Sequence, residues 1–258
     1  MNAQHEDTSL GIRASVCMAT YNGAEYVAEQ IESIMRQLGP NDELVIVDDA
    51  SPDTTVEVVR TFSDDRITVL QAVQNQGYVR SFEQAVLASK GEYVFLADQD
   101  DVWLPGRLAV MLRALQGADV VASNFAVLDD GDRGKVPLLR AADSGHHARN
   151  IAGILVGYRP YYGCGMAMTR AQARVFTPVP SYLKESHDLW LALCGNVAGS
   201  MAHLDEPTLL RRLHGNNVTP TGWRSLRRIL QARLMIFRAL LEAARRTKAS
   251  KRSAQQAA

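Results

Sequence analysis

The feature that most limits the fold of this chain is a four-fold alternation of short apolar runs with segments of helical period inside its first hundred residues. "RASVCMATYN" closes on Asn22-Gly23, and "AEYVAEQIESIMRQL" then spaces Val27, Ile31, Ile34, Met35 and Leu38 as the inner face of a helix. "ELVIVDDAS" reads as a second buried strand, after which Ser51 and Pro52 open the helix "DTTVEVVRTF". "ITVLQA", "GYVRSFEQAVLAS" and "GEYVFLAD" continue as strand, helix and strand. A βαβαβαβ series with short connections predicts an α/β fold, with a Rossmann-like, mostly parallel central sheet covered by helices on both faces. Residues 1–102 therefore read as a nucleotide-binding half, 103–222 as an acceptor-binding half of the same domain, and 223–258 as a helical extension.

Ligands of such sheets sit at the carboxyl ends of the strands. Those ends hold Thr20, Tyr21 and Asn22, then Asp48 and Asp49, then the acidic run Asp98, Asp100 and Asp101. Like charges at the end of a buried strand repel one another and are costly to desolvate, so a positive partner is expected there. No GxGxxG or GxxxxGK[ST] follows any strand, so both usual glycine-rich phosphate cradles are missing. An Asp-x-Asp pair can instead offer hard oxygens to Mg²⁺ or Mn²⁺, which bridges to a diphosphate.

Four segments carry a resemblance. "SVCMATYNGAEYVAEQIESI", "ELVIVDDASPDTT", "NQGYVRSFEQAV" and "GEYVFLADQDDVWLPGRL", in that order, resemble the inverting glycosyltransferases of family 2, which have the GT-A fold. "DQDDVW", with "YYGCGMAM", "HDLWLAL" and "RRLHGNNVT" downstream, is most similar to the bacterial rhamnosyltransferase-like branch that builds cell-surface polysaccharides. The resemblance implies a nucleoside-diphosphate sugar donor, with dTDP-L-rhamnose as the branch's example, a saccharide or lipid-linked acceptor, and Mn²⁺ or Mg²⁺ as cofactor. It assigns Thr20, Asp49 and Asp48 to the base and ribose, Arg80 to the base, Asp98 to the ribose, and Asp100 to the metal. Asp101 reads as a cap or a residue orienting the metal shell. Asp188 matches the general base, which takes the acceptor hydroxyl proton while the anomeric carbon is attacked opposite the diphosphate; without the resemblance it would read as a first-turn helix acid. His214 falls where the family covers the diphosphate, as metal ligand, phosphate donor or plain loop histidine, and Arg211 and Arg212 beside it carry charge suited to the leaving group. Tyr161, Tyr162 and Trp190 are candidate acceptor contacts, although Gly163 and Gly165 fit close packing equally well.

A sugar nucleotidyltransferase shares the nucleotide-binding design, but "MATYNGAEY" lacks the glycine run and lysine that hold a triphosphate; a non-catalytic nucleotide-sugar-binding scaffold is the other alternative. Residues 128–150 are glycine-rich, charged and aperiodic, which predicts a long mobile loop over the site, with His146 and His147 as solvated residues.

Charge is divided along the chain. The 28 basic and 28 acidic residues cancel, yet ten bases and one acid, Glu242, fall after residue 222. Leu226, Ile229, Leu230, Phe237, Leu240, Leu241 and Ala244 share one helical face there. A basic amphipathic helix predicts a cytoplasmic membrane surface as partner, with packing on the chain's own body or a homodimer as alternatives; nothing points to nucleic acid. Three widely spaced cysteines without a CxxC pair argue against a disulfide framework or a zinc site and favour the cytoplasm. The polar start has no secretory pattern, and no run of 18 apolar residues occurs.

Overall fold

The computed structural model describes residues 11–128, 136–159, 161–213 and 225–257, excepting the side chains of Leu226, Ala254 and Ala257. His214 and part of the 128–150 segment lie outside the described residues.

The first half follows the alternation in the sequence. β1 (Ala14–Thr20), α1 (Val27–Met35), β2 (Asp42–Asp48), α2 (Thr55–Arg60), β3 (Ile67–Gln71), α3 (Tyr78–Ala88) and β4 (Tyr93–Asp98) succeed one another, and the four strands are parallel. α2 begins later than Ser51-Pro52 suggests. Ser51 is engaged by Asp48, and Asp53 Oδ1 accepts from the Thr55 N–H at 3.1 Å, so the turn closes three residues further on.

The second half adds β5 (Val102–Trp103), α4 (Arg107–Leu115), β6 (Val120–Val127), α5 (His147–Val156), β7 (Met166–Thr169), α6 (Arg170–Phe176), α7 (His187–Ala198), β8 (Met201–Arg211) and α8 (Leu226–Ala257). All eight strands form one sheet of order β3-β2-β1-β4-β7-β6-β8-β5. Its second half is less parallel than the sequence predicts. β7 lies antiparallel between β4 and β6, and β5 is antiparallel to β8. The period-2 pattern of a strand shows which face is buried but not which way the strand runs.

Alternate residues of each central strand enter two cores. Val16 and Met18 of β1 join Ile31 and Ile34 of α1 and Met111 of α4 on one face, while Cys17 joins Phe82 of α3 and Trp190 of α7 on the other. Backbones also approach closely where β4 is entered. A Cβ on Gly91 would lie 2.6 Å from the Ser15 nitrogen and 2.7 Å from the Ala14 carbonyl carbon, both main-chain atoms of a central strand. Gly91→Ala is therefore expected to destabilise the fold by about 2 kcal/mol, the usual scale of overpacking, read as a lower midpoint in urea; an unchanged midpoint would place no constraint on this turn.

Two expectations about the periphery need correction. Much of the 136–150 stretch is fastened to the body and is no free loop: Leu139 exchanges two hydrogen bonds with Asn124 at 2.9 Å, Arg159 pairs with Asp143 at 2.7 Å, and His147 opens α5. For the tail, a membrane partner is not the whole account, since one face takes the alternative of packing on the chain's own body. Ile236, Ala239 and Ala243 of α8 are buried in the same core as Trp190, and Arg246 donates to the carbonyls of Val175 and Pro178 at 3.0 and 2.7 Å.

Candidate active site at the strand ends

Charged side chains from distant parts of the chain meet where β1, β2 and β4 end. The first strand–helix loops are fixed there by a closed set of hydrogen bonds. Asp48 accepts from Thr20 Oγ1 at 3.1 Å and from the N–H and Oγ of Ser51 at 2.9 and 2.5 Å, and Ser51 Oγ also accepts from the Asn22 N–H. Each oxygen of Asp49 accepts a main-chain N–H at 2.8 Å, from Gln76 and from Gly77. Thr20, Asp48 and Asp49, the residues expected at the base and ribose, are buried and organise these loops. Their loops carry strain: Asn22 and Ala50 have φ of 50° and 60°, a region that costs a residue with a Cβ about 1 kcal/mol or more.

Gln99 stands between the acids without a charge or motif to set it apart in the sequence. Its side chain accepts from the Tyr21 N–H and donates to the Tyr21 carbonyl, both at 2.9 Å, clamping the end of β1 to the end of β4 and leaving the Tyr21 ring exposed.

Behind this rim lies the acidic group. Oxygens of Asp98 and Asp101 and the Cys164 sulfur all lie within 4.8 Å of one another. Burial first, then the Asp100 charge, pushes the Asp98 carboxyl up to about 7. Burial and the charges of Asp98 and Asp100 raise Asp101 well above the usual carboxylate range. Asp101 Oδ2 meets no hydrogen-bond partner among the described residues. A buried carboxylate oxygen without a partner, next to a second carboxylate whose proton is held too tightly, fits a site shaped for a divalent cation, and the hard oxygens suit Mg²⁺ or Mn²⁺. Asp100 stands outside that close group; its carbonyl accepts from Arg212 Nε at 3.3 Å.

Cys164 had no sequence signal. It arrives from a 3-10 turn at Gly163–Gly165, where its carbonyl accepts from Arg107 at 2.7 Å. Arg107 is itself buried, bonded to Thr208 and Ser123 and stacked over Trp103 at 4.8 Å.

Basic groups face the acids from the end of β8. The Arg211 guanidinium lies over the rings of Tyr162 and Phe125 at 4.5 and 5.5 Å and within the electrostatic reach of Asp98 and Asp101. Arg212 pairs with Glu29 at 2.5 Å and covers Tyr26. Asp188 enters from the first turn of α7, its Oδ1 accepting from the Leu189 N–H at 2.7 Å. Burial lifts its carboxyl to about 6, and its charge is felt at Asp98. His187 next to it is buried, stacked on Phe82 at 4.5 Å, and held neutral by burial with its pKa near 3.

Two expected contacts move away from the site. Tyr161 is buried with its hydroxyl 2.9 Å from His203 Nε2, and Trp190 is buried with its indole N–H donating to the Phe176 carbonyl at 2.9 Å; both are core residues and not acceptor contacts. Gly163 and Gly165 thus belong to the close-packing reading. Arg80, expected at the base, pairs with Glu83 and donates to the carbonyls of Val179 and Pro180 at 3.0 and 3.1 Å, which tethers α3 to that segment. Tyr162, half-buried beneath Arg211, stays at the site.

Comparison with known proteins places the chain that carries this rim. The model of "Glycosyl transferase family 2" matches residues 15–174, more than half of the sequence. The chain belongs to glycosyl transferase family 2. A curated relative, the putative colanic acid biosynthesis glycosyl transferase WcaA of Escherichia coli K12, is 36% identical over 100 residues, covering 38% of this chain and 36% of the relative. Among solved structures, S. aureus TarS 1-349 in complex with UDP-GlcNAc aligns over 87% of this chain and 66% of that one with a TM-score of 0.70 and 18% identity. Glucosyl-3-phosphoglycerate synthase of Mycobacterium tuberculosis, solved with Mn²⁺, UDP and phosphoglyceric acid, aligns over 91% and 79% with a TM-score of 0.60 and 18% identity. These likenesses show the GT-A fold. The chain spans about two-fifths of the length of the first curated relatives it matches.

Proposed function

We propose that this family 2 protein is an inverting, divalent-metal-dependent glycosyltransferase that moves a hexose from a nucleoside-diphosphate donor to a saccharide or lipid-linked acceptor in surface polysaccharide synthesis. The observation that carries the reading is the meeting of Asp98, Asp101, Arg211 and Asp188 on one rim, with the last carboxyl poised near neutrality. Relatives named for polysaccharide assembly and structural neighbours bound to UDP, UDP-GlcNAc and Mn²⁺ support the same direction.

The loops ordered by Thr20, Asp48 and Asp49 frame the nucleotide, with the exposed Tyr21 ring beside it. Asp98 and Asp101, joined by Asp100 and His214 of the sequence expectation, would hold a divalent cation, which supplies positive charge to the diphosphate. Arg211 adds charge on the same side as the phosphate negative charge grows. Asp188 takes the proton of the acceptor hydroxyl. That oxygen bonds to the anomeric carbon from the face opposite the diphosphate, the carbon–phosphate-oxygen bond breaks, and the nucleoside diphosphate departs with the electron pair. Tyr162, beneath Arg211, would meet the acceptor.

The donor is tested by thermal shift with dTDP, UDP, GDP and CMP, each with Mn²⁺ and with EDTA. A nucleotide at one hundred times its Kd stabilises the folded state by about 2.7 kcal/mol. The expected result is a diphosphate-specific rise that EDTA abolishes. A rise with dTDP supports the rhamnosyl donor of the branch resemblance, one with UDP replaces it, and no rise with any diphosphate overturns the proposal.

A further inference from the structure

Two faces of α8 are apolar, and among the described residues only one is covered. Ile236, Ala239, Ala243 and Thr247 point into the body. On the far side Leu230, Leu234, Phe237 and Leu241 are 72, 68, 48 and 58% exposed. Their spacing of four, three and four residues makes one continuous stripe along the helix, about 16 Å long at 1.5 Å per residue. Gly157, between the exposed Val156 and Tyr158, packs against Arg233 of this helix. The single face drawn from the sequence thus splits, because inward packing takes the small residues around Ala239 and turns the large ones to solvent.

We propose that this outer stripe docks on an anionic lipid surface. Charge chooses the occupant. Residues 225–241 carry Arg227, Arg228, Arg233 and Arg238 and no acid, and Arg227, Arg228 and Arg238 are exposed. A two-fold contact with the same helix of a second copy sets these arginines against each other, whereas anionic headgroups neutralise them while Leu and Phe enter the acyl boundary. No helix among the described residues is long and apolar enough to cross a membrane, so the contact lies in the plane of the surface.

The test is co-sedimentation of the full chain with vesicles of phosphatidylcholine alone or mixed with phosphatidylglycerol. Partitioning is expected to be at least about tenfold stronger into the anionic vesicles and to weaken with salt. Leu234→Glu/Phe237→Glu should lose about tenfold of that binding with its melting temperature retained, since both positions are exposed; Arg227→Glu/Arg228→Glu, at two exposed positions, should do the same through charge alone. Equal or absent sedimentation with both vesicles overturns the proposal. So does a dimer by light scattering that Leu234→Glu/Phe237→Glu converts to monomer, which assigns the stripe to a second copy. Neither outcome uses transfer activity, so the glycosyltransferase reading stands or falls separately.

Discussion

Asp188→Asn is expected to lower kcat by about 10²- to 10⁴-fold, the range that a positioned base supplies, while leaving the nucleotide-dependent thermal shift intact. Asparagine keeps the shape of the side chain and can still accept from the Leu189 N–H as Asp188 Oδ1 does at 2.7 Å. What it removes is the site for the acceptor's proton. Because burial raises the Asp188 carboxyl to about 6, the wild-type rate should also show an acid limb. Above that pH the group is ionised and competent, below it the proton is already in place and kcat/KM falls about tenfold per unit. Asn at this position should flatten the limb as well as lower the rate. A variant with wild-type kcat would remove Asp188 from the mechanism, and a lost nucleotide shift would make it a residue of folding or donor binding.

The second large effect joins stability to chemistry. Asp98→Asn should raise the melting temperature at pH 8 and abolish the Mn²⁺-dependent nucleotide shift. In the folded protein burial and Asp100 raise this carboxyl to about 7, against an ordinary value of 3.8. The folded state therefore holds its proton more tightly than the unfolded chain. The associated stability is fully present below about pH 4 and is lost as pH rises through 7. At pH 8 wild-type Asp98 is a poorly solvated anion; asparagine relieves about 1–2 kcal/mol of that cost, allowing for partial solvent screening. At pH 4 the two proteins should melt alike. A lower melting temperature at pH 8, or an undiminished Mn²⁺ response, would show that the acidic group is neither strained nor the cation site. The expected exchange of stability for function is common where charge is concentrated for catalysis.

What could be read from the letters was whatever depends on local period. β1 to β4 and their helices, and the gathering of acids at their ends, follow from alternation and from the rule for strand ends. The partners of those acids did not follow. Asp49 looks like any strand-end carboxylate until Gln76 and Gly77, far along the chain, are seen to occupy both its oxygens. Cys164 reaches Asp98 only because β7 runs antiparallel beside β4, a direction that apolar alternation does not encode. Aromatic letters misled for a related reason. Trp190 and Tyr161 have polar tips suited to sugar, but burying their rings with the tips satisfied by Phe176 and His203 stabilises the core in the same way.

The two faces of α8 differ in how they can change over evolutionary time. The inner one, through Ile236, Ala239 and the Arg246 contact 5.2 Å from the Trp190 ring, braces α7, which carries Asp188 in its first turn. Deleting α8 would uncover that core, so the proposed docking stripe cannot be shed by simple truncation without endangering the helix that carries Asp188. The outer stripe, by contrast, can gain or lose apolar side chains one at a time with little penalty to folding. Descendants of this chain are therefore free to retune the proposed docking surface while inheriting the same fold unchanged.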